Sequence, residues 1–162
     1  MIINDLINNK LVLIDCAFKN KDEAIGSLSS LLENNRVINS REDFISAVKE
    51  RESLTTTAID FGIAIPHARS ECVVRPGIAA GRSKEFIWDA NTNQSVSLIF
   101  LLAVPERIEY PEYMKILASI SRMLVHRRFR NQLLEARNVD EFISTISNGE
   151  CYLVNGNNSQ NT

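Results

Sequence analysis

The nine residues Val96-Ser97-Leu98-Ile99-Phe100-Leu101-Leu102-Ala103-Val104 restrict the fold more than any other stretch of this chain. Only Ser97 interrupts the apolar run. A strand with one face in water alternates apolar and polar residues, so a nearly unbroken run reads as a strand covered on both faces, in the middle of a sheet flanked by helices. Pro105 ends it, because proline has no N–H for a ladder bond.

Helical patterns lie on either side of that strand. Ile2, Ile3, Leu6 and Ile7 have the spacing of a short first helix that Asn8-Asn9 closes. Leu11–Ile14 reads as a first strand. Asn20 with Glu23 resembles a capping box and opens a helix whose buried face is Ala24, Ile25, Leu28, Leu31 and Leu32. Ser40 is the N-cap of the next helix, with Glu42 and Asp43 near its N-terminal dipole and Phe44, Ile45 and Val48 turned inward. Ile78–Gly81 and Phe86–Trp88 are two short extended segments. Pro111 suits the first turn of a helix carrying Tyr113, Leu117, Ile120 and Leu124 on one face. Phe129, Leu133 and Leu134 mark a further helix. Asn138 with Glu141 caps a last one, containing Phe142 and Ile146, with Gly149 as its terminator. The expectation is a single α/β domain over residues 1–150, with a mixed central sheet and helices on both faces. Residues 151–162 are expected to be a largely disordered tail, with no large apolar residue from Asn155 onward.

The chain's 162 residues suffice for one domain with a substantial core, and 44% hydrophobic with 23% charged residues is a globular balance. A formal charge of −2 gives no overall field for nucleic acid or an anionic membrane. No apolar run approaches the ~20 residues that span a bilayer. The N-terminus lacks the basic start and long apolar core of a signal peptide. Three separated cysteines, Cys16, Cys72 and Cys151, fit buried thiols in a reducing compartment better than a disulfide framework, which points to the cytoplasm.

Chemistry concentrates between Arg51 and Arg69. In Gly62-Ile63-Ala64-Ile65-Pro66-His67, Pro66 is expected to stop a strand just before one of only two histidines. His67 is then delivered at a strand end, and small Ala64 and Ala68 let another molecule approach. A neutral imidazole is nucleophilic near pH 7. Arg51 is the candidate cation, since a guanidinium offers a fork of donors to an anion. Thr57, within Thr55-Thr56-Thr57, is a candidate hydroxyl for the imidazole or for an anion held beside it. Taken singly, each has a plainer reading. His67 would be a loop histidine bonded to nearby backbone, Arg51 a helix-end cation pairing with Glu52 or the helix carbonyls, and the threonines strand sequence.

The Gly-Ile-Ala-Ile-Pro-His string after Arg51-Glu52 resembles the active-site signature of the mannitol/fructose-type IIA component of the bacterial phosphoenolpyruvate-dependent sugar phosphotransferase system. The likeness runs over roughly residues 5–147 and includes Val96–Pro105 and the helix start Glu112-Tyr113-Met114. It implies the IIA fold and no cofactor. It also implies a phosphorylated histidine at His67, an active-site arginine at Arg51, a donor in the phosphocarrier protein HPr and an acceptor in a IIB component. Ala64, Ile65 and Ala68 are then expected in the docking rim. Two departures stand out. Asp60 occupies a position where glycine is common, and a carboxylate there either alters the turn or, if it points inward, repels phosphate. Tyr113 stands where many members have a second histidine; it offers a phenolic hydrogen bond or is an ordinary residue of the apolar stripe. A regulatory phosphoprotein of the nitrogen-related branch and a non-transferring interaction module with the same fold are the alternatives.

Other features carry less. His126, four residues from both Arg122 and Arg130, reads as part of a solvated helix face, and one basic face on a slightly acidic domain does not argue for nucleic acid. Gly77-Ile78-Ala79-Ala80-Gly81-Arg82-Ser83 is one residue short of a P-loop and has arginine where lysine is required. Two distant histidines and scattered cysteines lack metal-ligand spacing. Trp88 is expected in the core or at a sheet edge.

Overall fold

The apolar run becomes the strand around which a mixed six-stranded sheet is built, in a computed structural model that describes residues 3–154. This strand, β6 (Gln94–Pro105), pairs antiparallel with β5 (Gly77–Asp89). Along its other edge it pairs parallel with two short strands, β3 (Ile63–Ala64) and β4 (His67–Ser70). β1 (Val12–Cys16) adds parallel to β5, and β2 (Ala58–Ile59) adds antiparallel to β3. Every residue from Leu98 to Pro105 is buried, so both faces of β6 are covered as the composition requires. Leu98, Ile99, Leu101 and Leu102 are each at most 1% exposed, and truncating any one to alanine costs about 2–5 kcal/mol.

The described residues fall into two compact units. One, Lys10–Ile108, holds the whole sheet with helices α1 (Lys21–Asn34) and α2 (Arg41–Leu54). The other joins the described part of residues 1–9 to residues 109–154. It contains a 3₁₀ turn at Ile3–Asp5 and helices α3 (Tyr110–Leu124), α4 (Arg127–Glu135), α5 (Val139–Gly149) and α6 (Cys151–Val154). The three caps read from the sequence form. Asn20 Oδ1 accepts from the Glu23 N–H at 2.9 Å, Ser40 Oγ from Asp43 at 3.2 Å and Asn138 Oδ1 from Glu141 at 2.9 Å. Each satisfies an orphan donor of a helix start.

Several expectations are corrected. The first helix is a single 3₁₀ turn, although Ile3, Leu6 and Ile7 are buried as its spacing implied. The two segments expected around residues 78 and 87 are one strand, β5. Between Arg82 and Phe86 it advances four residues while β6 advances two, from Leu98 to Val96. This bulge carries exposed Lys84 and Glu85, whose charges hide the continuity. Gly149 does not end α5 through a left-handed residue. A Cβ there would stand 2.5 Å from Phe129 Cε2 and 2.8 Å from Met123 Cε, so close packing requires it. The tail expected from residue 151 begins with helix α6, and residues 155–162 lie outside the described residues. Leu134 is 44% exposed and contributes little to α4's buried face.

Candidate functional site

Pro66 does not end the strand; it splits it. Ile63 and Ala64 of β3 face Leu98 and Ile99 of β6, and after the break His67 and Ala68 of β4 face Leu102 and Ala103. The offset is the same on both sides, so β3 and β4 are one strand in one register. Pro66 still accepts a bond from the Leu102 N–H at 3.0 Å. What it lacks is an N–H of its own to return. His67 is therefore the first residue of a paired strand rather than part of a loop, with its backbone fixed by β6.

His67 is 7% exposed as a residue, and its Nδ1 lies 2.8 Å from the carbonyl oxygen of Ile65. A carbonyl only accepts, so Nδ1 carries the proton and Nε2 the lone pair. Burial is the main influence on its titration and lowers its pKa below the ordinary 6.5. The Ile65 carbonyl opposes this, the Arg51 charge lowers the pKa further and the Glu52 charge raises it. The net direction is downward, which keeps the ring neutral near pH 7. The plain reading of His67, a histidine bonded to nearby backbone, describes the geometry correctly, and that same bond makes Nε2 a nucleophile.

Arg51 and Glu52 lie in the last turn of α2 and hold the following segment from two sides. Arg51 Nη1 donates to the Thr55 carbonyl at 2.9 Å, and its side chain is half-buried. The Glu52 side chain is 4% exposed. It accepts the hydroxyl of Thr57 at Oε1 and the Thr57 N–H at Oε2, 3.4 Å away, with Lys21 Nζ 3.9 Å from Oε2. The expected hydroxyl of Thr57 is thus directed to Glu52. Glu52 is the residue that sequence reasoning undervalued, as no more than a surface partner for Arg51. A carboxylate followed at five residues by a hydroxyl was the available signal.

The remaining candidates divide. Ala64, Ile65 and Ala68 are 0%, 5% and 4% exposed and so do not form an open rim; small side chains serve close packing there. Ile65 contributes its carbonyl instead. Asp60 is exposed in the β2–β3 turn, where Phe61 and Gly62 take φ of 71° and 74°. Its exposed side chain is turned to solvent there and not inward. Tyr113 belongs to the helical unit, where it is buried and packs edge-to-face on Tyr110 at 6.0 Å.

His126 is not on a continuous helix face. It is the N-cap residue of α4, half-buried and stacked on Tyr152 at 4.4 Å. Trp88 is buried, and the near P-loop lies within β5. Of the three free thiols only Cys72 is buried, and Cys151 is exposed, contrary to the expectation for all three. Among the described residues no helix is long and apolar enough to cross a membrane.

Comparison with known proteins agrees with the signature. The family model for the phosphoenolpyruvate-dependent sugar phosphotransferase system, EIIA 2, matches residues 5–149 and so spans both units. A fructose-specific EIIABC component of Bacillus subtilis is 32% identical over 91% of this chain, which spans 23% of that relative's length. The nitrogen regulatory protein IIA-Ntr of Neisseria meningitidis superposes with a TM-score of 0.80 at 25% identity, covering 89% of this chain and 98% of that one. The mannitol IIA of Escherichia coli, solved in complex with phosphorylated IIB, has the same fold: TM-score 0.75 at 17% identity, covering 88% and 97%. With its family's model matched over nearly its whole described length, this chain belongs to the EIIA 2 family of the sugar phosphotransferase system.

Proposed function

We propose that this protein is a phosphohistidine carrier of the sugar phosphotransferase system, acting in the cytoplasm without a cofactor. It accepts a phosphoryl group from HPr on Nε2 of His67 and donates it to a IIB component. The observation that carries the reading is the 2.8 Å bond from His67 Nδ1–H to the Ile65 carbonyl, which leaves the lone pair of a neutral ring on Nε2. Family membership and the IIA–IIB pair of the mannitol relative support the partners.

The transfer balances without further groups. The Nε2 lone pair attacks phosphorus, an N–P bond forms, and the bond to the donor atom breaks with its electron pair returning to the donor. The product ring is cationic with Nδ1 still protonated, and the Ile65 carbonyl stabilises that charge. The phosphoryl oxygens need a fixed cation, the role given to Arg51. Docking by HPr or IIB must bring the donor or acceptor group to a residue that is mostly buried.

Intact-mass analysis after incubation with phosphoenolpyruvate, enzyme I and HPr tests the reading. An acid-labile phosphate adduct is expected on the wild type and absent from His67→Ala. Tyr113→Phe is expected to keep most of the adduct, and the reverse pattern would overturn the assignment. The likeness to the nitrogen regulatory protein favours a second reading, in which the phosphorylated state itself is the signal. Onward transfer to a fructose-type or mannitol-type IIB protein separates the two: a carrier loses its adduct to IIB, and a regulator retains it.

A further inference from the structure

Glu52 takes a bond that a regular hairpin would use elsewhere. β2 and β3 pair with Ala58 opposite Ala64 and Ile59 opposite Ile63, so one residue further on Thr57 stands opposite Ile65. Ladder positions of this kind exchange two bonds, N–H to carbonyl in both directions. Half of the exchange is present, since the Ile65 N–H donates to the Thr57 carbonyl at 3.0 Å. In place of the return half, the Thr57 N–H turns to Glu52 Oε2 at 3.4 Å. The Ile65 carbonyl receives His67 Nδ1–H at 2.8 Å.

From this geometry we infer that Glu52 is a positioning residue for phosphoryl acceptance: by drawing the Thr57 N–H out of the ladder, it reserves the Ile65 carbonyl for His67 and so sets the tautomer that presents Nε2. The inference rests on the carrier reading for its consequence, and on the hairpin alone for its geometry. Burying a carboxylate is unfavourable unless it is well bonded, and this one is held by both donors of Thr57 with Lys21 close by. A capping contact alone needs no charge. The charge serves two ends here. An anionic carboxylate is acceptor-only and so takes both Thr57 donors, whereas an amide offers one acceptor oxygen and two donors. It also favours the imidazolium that forms when Nε2 takes the phosphoryl group, opposing the effect of Arg51 on the same ring. Arg51 holds Thr55 meanwhile, so the dipeptide grips the whole connection from α2 to β2.

The test uses the full chain and the variant Glu52→Gln, with two readouts. Imidazole ¹⁵N shifts report the His67 tautomer without any donor present, and a time course with phosphorylated HPr reports acceptance. The wild type is expected to hold the Nδ1–H tautomer. Glu52→Gln is expected to gain the Nε2–H form and to accept phosphate about tenfold more slowly or worse, the scale of a small misplacement of a reacting atom. Thr57→Val is expected to shift the tautomer in the same direction, with Thr57→Ser restoring most of the loss; this pair decides the matter if Glu52→Gln fails to fold. An unchanged tautomer in folded Glu52→Gln, whatever its rate, overturns the inference. If the wild type takes no phosphate from HPr, the carrier reading fails, and the tautomer comparison still decides what Glu52 does to His67.

Discussion

At the scale of single residues, the pKa of His67 gives a signed prediction. Its folded value lies below the ordinary 6.5, mainly through burial, so as pH falls below 6.5 the unfolded chain binds a proton before the folded one does. Stability from this group is complete above pH 6.5 and declines as pH is lowered toward the folded value. Denaturant titrations of wild type and His67→Gln should diverge in that window, with only the wild type carrying the slope. Arg51→Ala should raise the His67 pKa, because the Arg51 charge lowers it, and should slow phosphate acceptance about ten- to a hundredfold through the lost charged hydrogen bonds. Proton NMR titration and a time course read these separately. His67 and Arg51 stand out in the sequence as candidates because a six-residue string after an Arg-Glu pair carries them. Glu52 was not. Its place in the chain says nothing of whether its carboxylate faces water or Thr57, and that depends on how α2 meets the hairpin.

At the scale of elements, local signals were read well and long-range ones were missed. The caps at Asn20, Ser40 and Asn138 form because donor and acceptor are three residues apart and need no tertiary partner. Asn138→Ala should therefore cost about 1 kcal/mol, measured as a drop in the unfolding free energy. The common register of β3 and β4 depends on β6, 35 positions away by the pairing of Ile63 with Leu98, and the continuity of β5 depends on where β6 absorbs a bulge. Neither appears in local periodicity. Gly149 shows the same limit, since its partners Phe129 and Met123 come from α4 and α3. Gly149→Ala should destabilise by about 1–3 kcal/mol through overpacking, where a helix-interior alanine would otherwise help by up to about 1 kcal/mol. The sign of that change in a thermal or denaturant melt distinguishes close packing from a terminator role.

At the scale of the whole molecule, the α/β class was legible from one apolar run, because a strand covered on both faces has few other homes. The grouping of the first residues with the last helices was not, since no pattern in residues 3–7 names its partner. Ile3, Leu6 and Ile7 are buried, and the Asn4 N–H donates to Glu150 Oε1 at 3.1 Å. Deleting residues 1–8 should then cost up to about 4.5–9 kcal/mol, given about 1.5–3 kcal/mol for each of three buried aliphatic side chains, and equilibrium unfolding of the shortened chain measures it. The split strand has a consequence for how such a protein can change. The His67 ring is oriented by the carbonyl of Ile65, a group that every amino acid possesses. Substitution at position 65 by any side chain that fills the same space leaves the orientation of the imidazole intact. Change of side chain at that position is therefore limited by core packing alone, because Ile65 is buried, and not by the hydrogen bond that orients His67.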